Sequence, residues 1–253
     1  MSENLRTLEG WYTLHEFRRF DWSAWRALSE RERQEIQEEF LGVLKQYRHC
    51  DEQRQGAFSF YEILGHKADF LFLNLRPTMQ ELSKAEQAFQ KTRFSEFAPL
   101  IYSYVSVVEL SNYVHSSESI SPEAQAMIDA RLKPVLPKTQ HVCFYPMNKR
   151  REDSNNWYTE SLEERRRMMK EHGLIGRTYA GRVTQMIGGS IGLDDWEWGV
   201  TLFAEDPLVF KHLVTEMRFD EASARFADFG AFYVGNRLEI EGLVHNILCS
   251  EAA

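Results

Sequence analysis

Leu75-Arg76-Pro77-Thr78 and Glu205-Asp206-Pro207-Leu208 mark one event twice: a strand ends and a proline opens a helix. Before Pro77 lie two strand-like runs, 57–64 and 68–75, flanking Gly65-His66-Lys67, a glycine-containing connection of the kind that closes a hairpin. Thr78 and Glu81 have capping-box spacing, so a helix is predicted to about Gln90, followed by a closing strand at 101–110 (IYSYVSVVEL). Ahead of the hairpin, 10–18 reads as a strand. Residues 23 to about 47 read as a long charged helix with Trp25, Leu28, Ile36, Phe40 and Leu44 apolar. The first half is therefore β-α-β-β-α-β.

The second half repeats the order. A strand at 141–147, a helix at 161–172, strands at 179–187 and 196–203, a helix from Pro207 to about Ala227 and a strand at 230–240 are expected. The matching prolines support internal duplication. The fold class is α+β: two duplicated ferredoxin-like β-α-β-β-α-β halves with antiparallel sheets, of the dimeric α+β barrel type. Domains are expected at 1–115 and 139–253. Between them, 116–138 carries a short helix (Pro122 to Leu132) and Lys133-Pro134-Val135-Leu136-Pro137-Lys138, whose prolines prevent helix propagation.

Composition narrows the function. The 253 residues are 43% hydrophobic and 13% aromatic, enough for a sizeable core. A net charge of -8 argues against nucleic acid as the main partner, and any anionic ligand then needs a local group of cations. The N-terminus has no signal-peptide pattern and no apolar run approaches the ~18 residues of a membrane span, so a cytoplasmic protein is expected. Cys50, Cys143 and Cys249, without a CxxC pair, suit neither a disulfide framework nor a zinc site.

Two segments carry the chemistry. Phe144-Tyr145-Pro146-Met147-Asn148-Lys149-Arg150 places a phenol, a thioether and cations at a strand end. It reads either as an edge strand guarded by Pro146 and Lys149 or as a strand facing a ligand. In the helix 161–172, Ser161 and Glu164 form a capping-box pattern, Gly173 stands where a C-terminal cap is wanted, and His172 is expected as the last residue. His172 shares a face with Leu162, Arg165, Met168 and Met169. It reads either as a satisfied core side chain or as the axial ligand of a haem-type iron. The seven other histidines show no HxxxH or HExxH spacing, which leaves a conventional zinc or non-haem iron site without support.

Tyr145-Pro146-Met147-Asn148-Lys149, His172 ahead of Gly173, and Gln185 in the next strand together resemble the coproheme decarboxylases of the chlorite dismutase superfamily. The resemblance covers essentially the whole chain. It implies a haem-biosynthesis oxidoreductase that uses hydrogen peroxide to convert two propionates of iron-coproporphyrin III to vinyl groups, giving haem b. The substrate serves as its own redox cofactor. By the same resemblance His172 is the axial iron ligand, Gln185 the residue above the iron and Tyr145 the catalytic phenol. Arg131, Lys149 and Ser223 contact propionates, and the substrate-binding segment runs through Tyr145, Pro146, Met147, Asn148 and Lys149. Chlorite-degrading relatives carry an arginine where this chain has Gln185, so chlorite or peroxidase chemistry is the alternative, beside a haem carrier without catalysis. A homo-oligomer, a ring of five by resemblance, and transient contact with a ferrochelatase are further expectations.

Overall fold

A computed structural model describes residues 7–111 and 121–240. The start of the expected linker at Ser116, with His115, His245 and Cys249, lies outside the described residues. Among the described residues one compact unit comprises 11–105, 134–136 and 235–240, and the other 7–10, 106–111, 121–133 and 137–234.

The first half of the chain runs β1 (Thr7–Arg18), α1 (Trp22–Ala27), α2 (Glu30–Glu52), β2 (Ala57–Ile63), β3 (Phe70–Arg76), α3 (Met79–Gln90), α4 (Phe94–Phe97) and β4 (Leu100–Ser111), of which 11–105 lie in the first unit. Strand order is β4-β1-β3-β2, with β1–β3 and β2–β3 antiparallel. That is the ferredoxin-like order expected from the element sequence. Phe58, Phe60, Phe70 and Phe72 alternate onto one sheet face and meet Trp25, Phe40, Leu44, Phe89 and Phe94 from the helices. Phe40 and Phe94 stack at 3.9 Å with planes 4° apart. Each buried phenylalanine removes enough apolar surface from water to contribute about 1.5–3 kcal/mol.

The second unit contains α5 (Pro122–Leu132), β5 (His141–Lys149), β6 (Arg151–Glu152), β7 (Asn155–Asn156), α6 (Leu162–Thr178), β8 (Thr184–Gly189), β9 (Trp198–Ala204), α7 (Leu208–Met217), α8 (Glu221–Phe226), β10 (Ala227–Phe229) and β11 (Tyr233–Arg237). Its strands run β10/β11-β5-β9-β8, the same order again, and the end of β4 pairs beyond β8 through Val107 opposite Gly189. No helix among the described residues is long and apolar enough to cross a membrane.

Five sequence expectations need correction. The long helix predicted from 23 to 47 is two helices, because Leu28 adopts extended backbone and Ser29 starts a new one with a complete capping box to Glu32. The helix predicted to end at His172 runs on to Thr178. Gly173 and Gly176 stay helical, since Ile175 and Tyr179 continue the buried stripe and tertiary packing outweighs the ~1 kcal/mol helix penalty of glycine. The strand predicted from 179 begins only at Thr184, after a turn with Gly181 at φ +80°. The helix predicted from 207 to 227 breaks at Arg218-Phe219-Asp220, and Asp220 caps a second, short helix. The final strand is likewise split into β10 and β11. Gly230 sits between them, where a side chain would strike Pro146 Cγ at 2.7 Å and Trp196 at 2.9 Å.

Candidate active site

Strand alternation sorts the Tyr145–Lys149 segment. Tyr145, Met147 and Lys149 share one face of β5, and the side chains of Pro146 and Asn148 take the other. Asn148 Oδ1 accepts the Glu197 amide at 2.7 Å, and Glu197 Oε2 accepts the Lys149 amide at 2.7 Å. This reciprocal pair fixes the strand end from which Lys149 projects. Pro146 lies against Gly230, whose amide donates to the Pro146 carbonyl.

The cross-strand register brings Gln185 to the same face. Tyr145 lies opposite Val200, and Val200 opposite Ile187; Cys143 lies opposite Leu202, and Leu202 opposite Gln185. Directly opposed residues share a face. Gln185 is exposed on that face, about 10 Å and two strands from Cys143. The face is apolar around Tyr145: Val200 and Leu202 line it, and Ile175, Tyr179, Leu213 and Met217 cover it from the helices.

Tyr145 is 4% exposed and stacks on Phe232 at 4.5 Å, with Phe229 at 5.7 Å. Burial holds its hydroxyl well above the ordinary tyrosine range, with Arg218 acting weakly in the other direction. The phenol is therefore kept as a phenol. Lys149 is 9% exposed; its Nζ donates to the Ala222 carbonyl at 3.1 Å and stands 4.4 Å above the Trp157 ring. Burial pushes its ammonium down to about 8 against the opposing charges of Asp220 and Glu197. A buried cation held by a carbonyl and a ring is suited to receive an anion.

His172 lies in the body of α6, with Met168 and Met169 one turn before it. Its Nδ1 is 2.8 Å from Asp220 Oδ2. Asp220 also accepts the Ser223 amide at 2.9 Å and the Ser223 hydroxyl at 3.1 Å, so it caps α8 and touches α6 at once. Burial works against its charge, but the His172 ring and the Ser223 donors outweigh that and hold the carboxyl below the usual range. As an acceptor, Asp220 fixes the proton on Nδ1 and leaves Nε2 as the unprotonated ring nitrogen. Arg167 binds Glu221 at 2.6 Å beside this contact, fastening α8 to α6 a second time.

The structure thus brings Tyr145, Met147, Lys149 and Gln185 onto one face, and ties His172 to Ser223 through Asp220. Lys149 joins the two groups at Ala222. Arg131 is exposed in the last turn of α5, and no contact links it to these residues among those described. Two participants escaped sequence reading. Asp220 was hidden inside an expected helix, although Asp220-Glu221-Ala222-Ser223 has N-cap spacing. Arg218 lies over Phe229 at 4.9 Å and adds a cation near Tyr145, with no sequence signal beyond its charge.

Among the described residues no three His, Cys, Asp or Glu side chains are grouped to hold a metal. An iron already enclosed by a macrocycle needs only one protein ligand. The residues present fit such a group: an oriented imidazole, a buried cation in Lys149, and open space at the position a Gly173 side chain would take.

The sequence model of chlorite dismutase matches residues 33–238. This chain belongs to the chlorite dismutase family. A heme-binding protein from Thermus thermophilus is 46% identical, with a TM-score of 0.90 over 95% of this chain and 96% of that one. A variant of the chlorite dismutase of Candidatus Nitrospira defluvii is 18% identical, with a TM-score of 0.77 over 95% and 96% of the two chains. A second variant of that protein is 19% identical, at 0.77 over 98% and 100%. The latter two likenesses establish the fold: a mixed α+β chain with ferredoxin-like antiparallel sheets, as in chlorite dismutase.

Proposed function

We propose that this chain is a haem-biosynthesis enzyme that decarboxylates two propionates of iron(III) coproporphyrin III oxidatively, with hydrogen peroxide as oxidant, to give haem b and carbon dioxide. The observation that carries the reading is the shared face of Tyr145 and Lys149, which sets a buried phenol and a buried cation about 13 Å apart along one strand. A carrier has a use for the cation and none for the phenol. The heme-binding Thermus relative supports a porphyrin as the ligand, and the neutral Gln185 speaks against chlorite as the substrate.

His172 would hold the iron through Nε2. The bound iron porphyrin, supplied with peroxide, provides the oxidising power. Lys149 and Ser223 bind propionate oxygens, with Arg131 and Arg218 as further cations, and Met147 and Gln185 border the macrocycle. Tyr145 passes the oxidising equivalent on: its phenoxyl takes a hydrogen atom from the propionate β-carbon and is a phenol again. The carbon radical then loses a second electron and carbon dioxide, leaving a vinyl group. Each propionate consumes one peroxide and one proton and releases two waters. A homo-oligomer, a ring of five, located in the cytoplasm and meeting a ferrochelatase transiently, belongs to the same proposal.

The test is to load the purified protein with iron(III) coproporphyrin III, add peroxide in steps, and follow the porphyrin by chromatography and mass spectrometry. Stepwise loss of two carboxyl groups is expected. Tight binding without conversion would favour the second reading, a haem carrier, which the description of the Thermus relative as heme-binding makes the relevant alternative.

A further inference from the structure

Asp220 Oδ2 serves two donors, His172 Nδ1 at 2.8 Å and the Ser223 hydroxyl at 3.1 Å, while Oδ1 is engaged by the Ser223 amide at 2.9 Å. The carboxylate is 3% exposed and Ser223 is buried. A hydroxyl has a single hydrogen to donate, and it rotates to whichever acceptor is stronger. Hydrogen bonds to one buried oxygen are coupled, so withdrawing one donor strengthens the other contact. Lys149 Nζ rests on the carbonyl of Ala222, the residue before Ser223. A carboxylate drawn to Lys149 is thereby brought to the first turn of the helix that carries this hydroxyl.

We propose that Ser223 lets a substrate carboxylate control the iron ligand. When a propionate takes the Ser223 hydrogen, Asp220 Oδ2 is left to His172 alone. The Nδ1–H contact shortens, and the imidazole becomes a stronger donor through Nε2. Once that carboxylate has left as carbon dioxide, the hydroxyl returns to Asp220 and the ligand weakens. The chain thereby holds iron more firmly in the tetracarboxylate substrate than in the dicarboxylate product. Asp220 and Ser223 are positioning residues here. The inference rests on the reading in which His172 binds iron and Ser223 meets a propionate that the reaction consumes.

Four equilibrium affinities test it, measured on the full chain without peroxide: iron(III) coproporphyrin III, haem b, and the two metal-free porphyrins. The ratio of iron to metal-free affinity cancels differences at the porphyrin rim. In the parent this ratio is expected to be about fivefold larger for coproporphyrin, the low end of ordinary coupling between sites. In Ser223→Ala the two ratios are expected to coincide, in Ser223→Thr to separate again, and in Asp220→Asn to fall together. The iron–imidazole stretching band of the ferrous complexes gives a signature that no merely structural role would move. It is expected higher with coproporphyrin than with haem b in the parent, and equal in Ser223→Ala. Equal ratios in the parent, or an undiminished difference in Ser223→Ala, would overturn the inference and leave the assigned function standing. A His172→Ala protein that keeps the imidazole band would overturn both.

Discussion

The two halves share one strand order and use one equivalent position in opposite ways. Phe70 and Val200 each stand seven residues before the proline that opens the next helix, and their partners on the neighbouring strand are Arg18 and Tyr145. In the first half Arg18 is buried, pairs with Glu16, donates to the Ala98 carbonyl at 2.9 Å and lies 4.2 Å from the Phe89 ring. Its charge is consumed by the fold. In the second half the same position holds a phenol among aromatic rings, and the cation on the same face, Lys149, rests on a carbonyl and an indole with the charges of Asp220 and Glu197 acting on it rather than in a close ion pair. The strand order is the same in both, and one half pairs its buried cation with a carboxylate while the other buries a phenol and an ammonium without a close ion pair among the described residues.

Four experiments would break or sharpen that contrast. The largest effect is expected from Tyr145→Phe, which should abolish conversion of iron(III) coproporphyrin III by peroxide. Affinity should stay within about tenfold, since one hydroxyl hydrogen bond contributes ~0.5–1.5 kcal/mol; turnover at the parent rate would remove Tyr145 from the mechanism.

Next come the closed-core residues. Arg18→Ala leaves Glu16 buried and unpaired, and Phe40→Ala opens a cavity; each should lower stability by about 3–5 kcal/mol in urea unfolding. Both should keep parent porphyrin affinity under conditions where they are folded. A change in affinity with little loss of stability would mean the first half is no mere scaffold.

Lys149→Met inverts that expectation. The folded pKa of Lys149, about 8, lies below its ordinary 10.5, so charging it opposes folding. That penalty is fully present below pH 8 and fades as pH rises toward 10.5. The ligand-free variant should be more stable than the parent by about 1 kcal/mol at pH 7 and equal to it near pH 10.5, while coproporphyrin affinity drops about tenfold. Thermal unfolding at the two pH values would show a constant gap if burial were not the cause.

The smallest effect concerns acid. Asp220 has a folded pKa below its ordinary 3.8, so it contributes stability that is present above that value and lost as pH falls through the folded pKa. Asp220→Asn should lack this increment, of about 1 kcal/mol, and its acid unfolding curve should be correspondingly flatter at the low end. Parallel curves would show that His172 and Ser223 do not depend on the charge.

Much of this was legible beforehand because the relevant signals are local. Thr78 and Ser161 cap helices as their spacing implied, and the hairpin turn at Gly65 adopts φ +88°. The alternation that puts Tyr145, Met147 and Lys149 on one face is equally local. Other features were not legible. Gly173 looked like a helix stop, and only the contacts of Ile175 and Tyr179 carry α6 past it. Asp220 looked like helix interior, and Arg218-Phe219-Asp220 breaks there because Asp220 finds donors on both α6 and α8.

What the sequence determined by itself was the duplicated β-α-β-β-α-β order, the apolar and polar faces of its strands, and the residue types on which the proposed site rests. These follow from periods of two and 3.6 residues and from caps a few residues long. The tertiary structure alone decided that Lys149 is desolvated, that His172 is oriented by a carboxylate 48 residues away, and that one oxygen of that carboxylate is shared with Ser223. Those are consequences of packing elements distant in the chain against one another, and no local pattern encodes which buried donor will meet which acceptor.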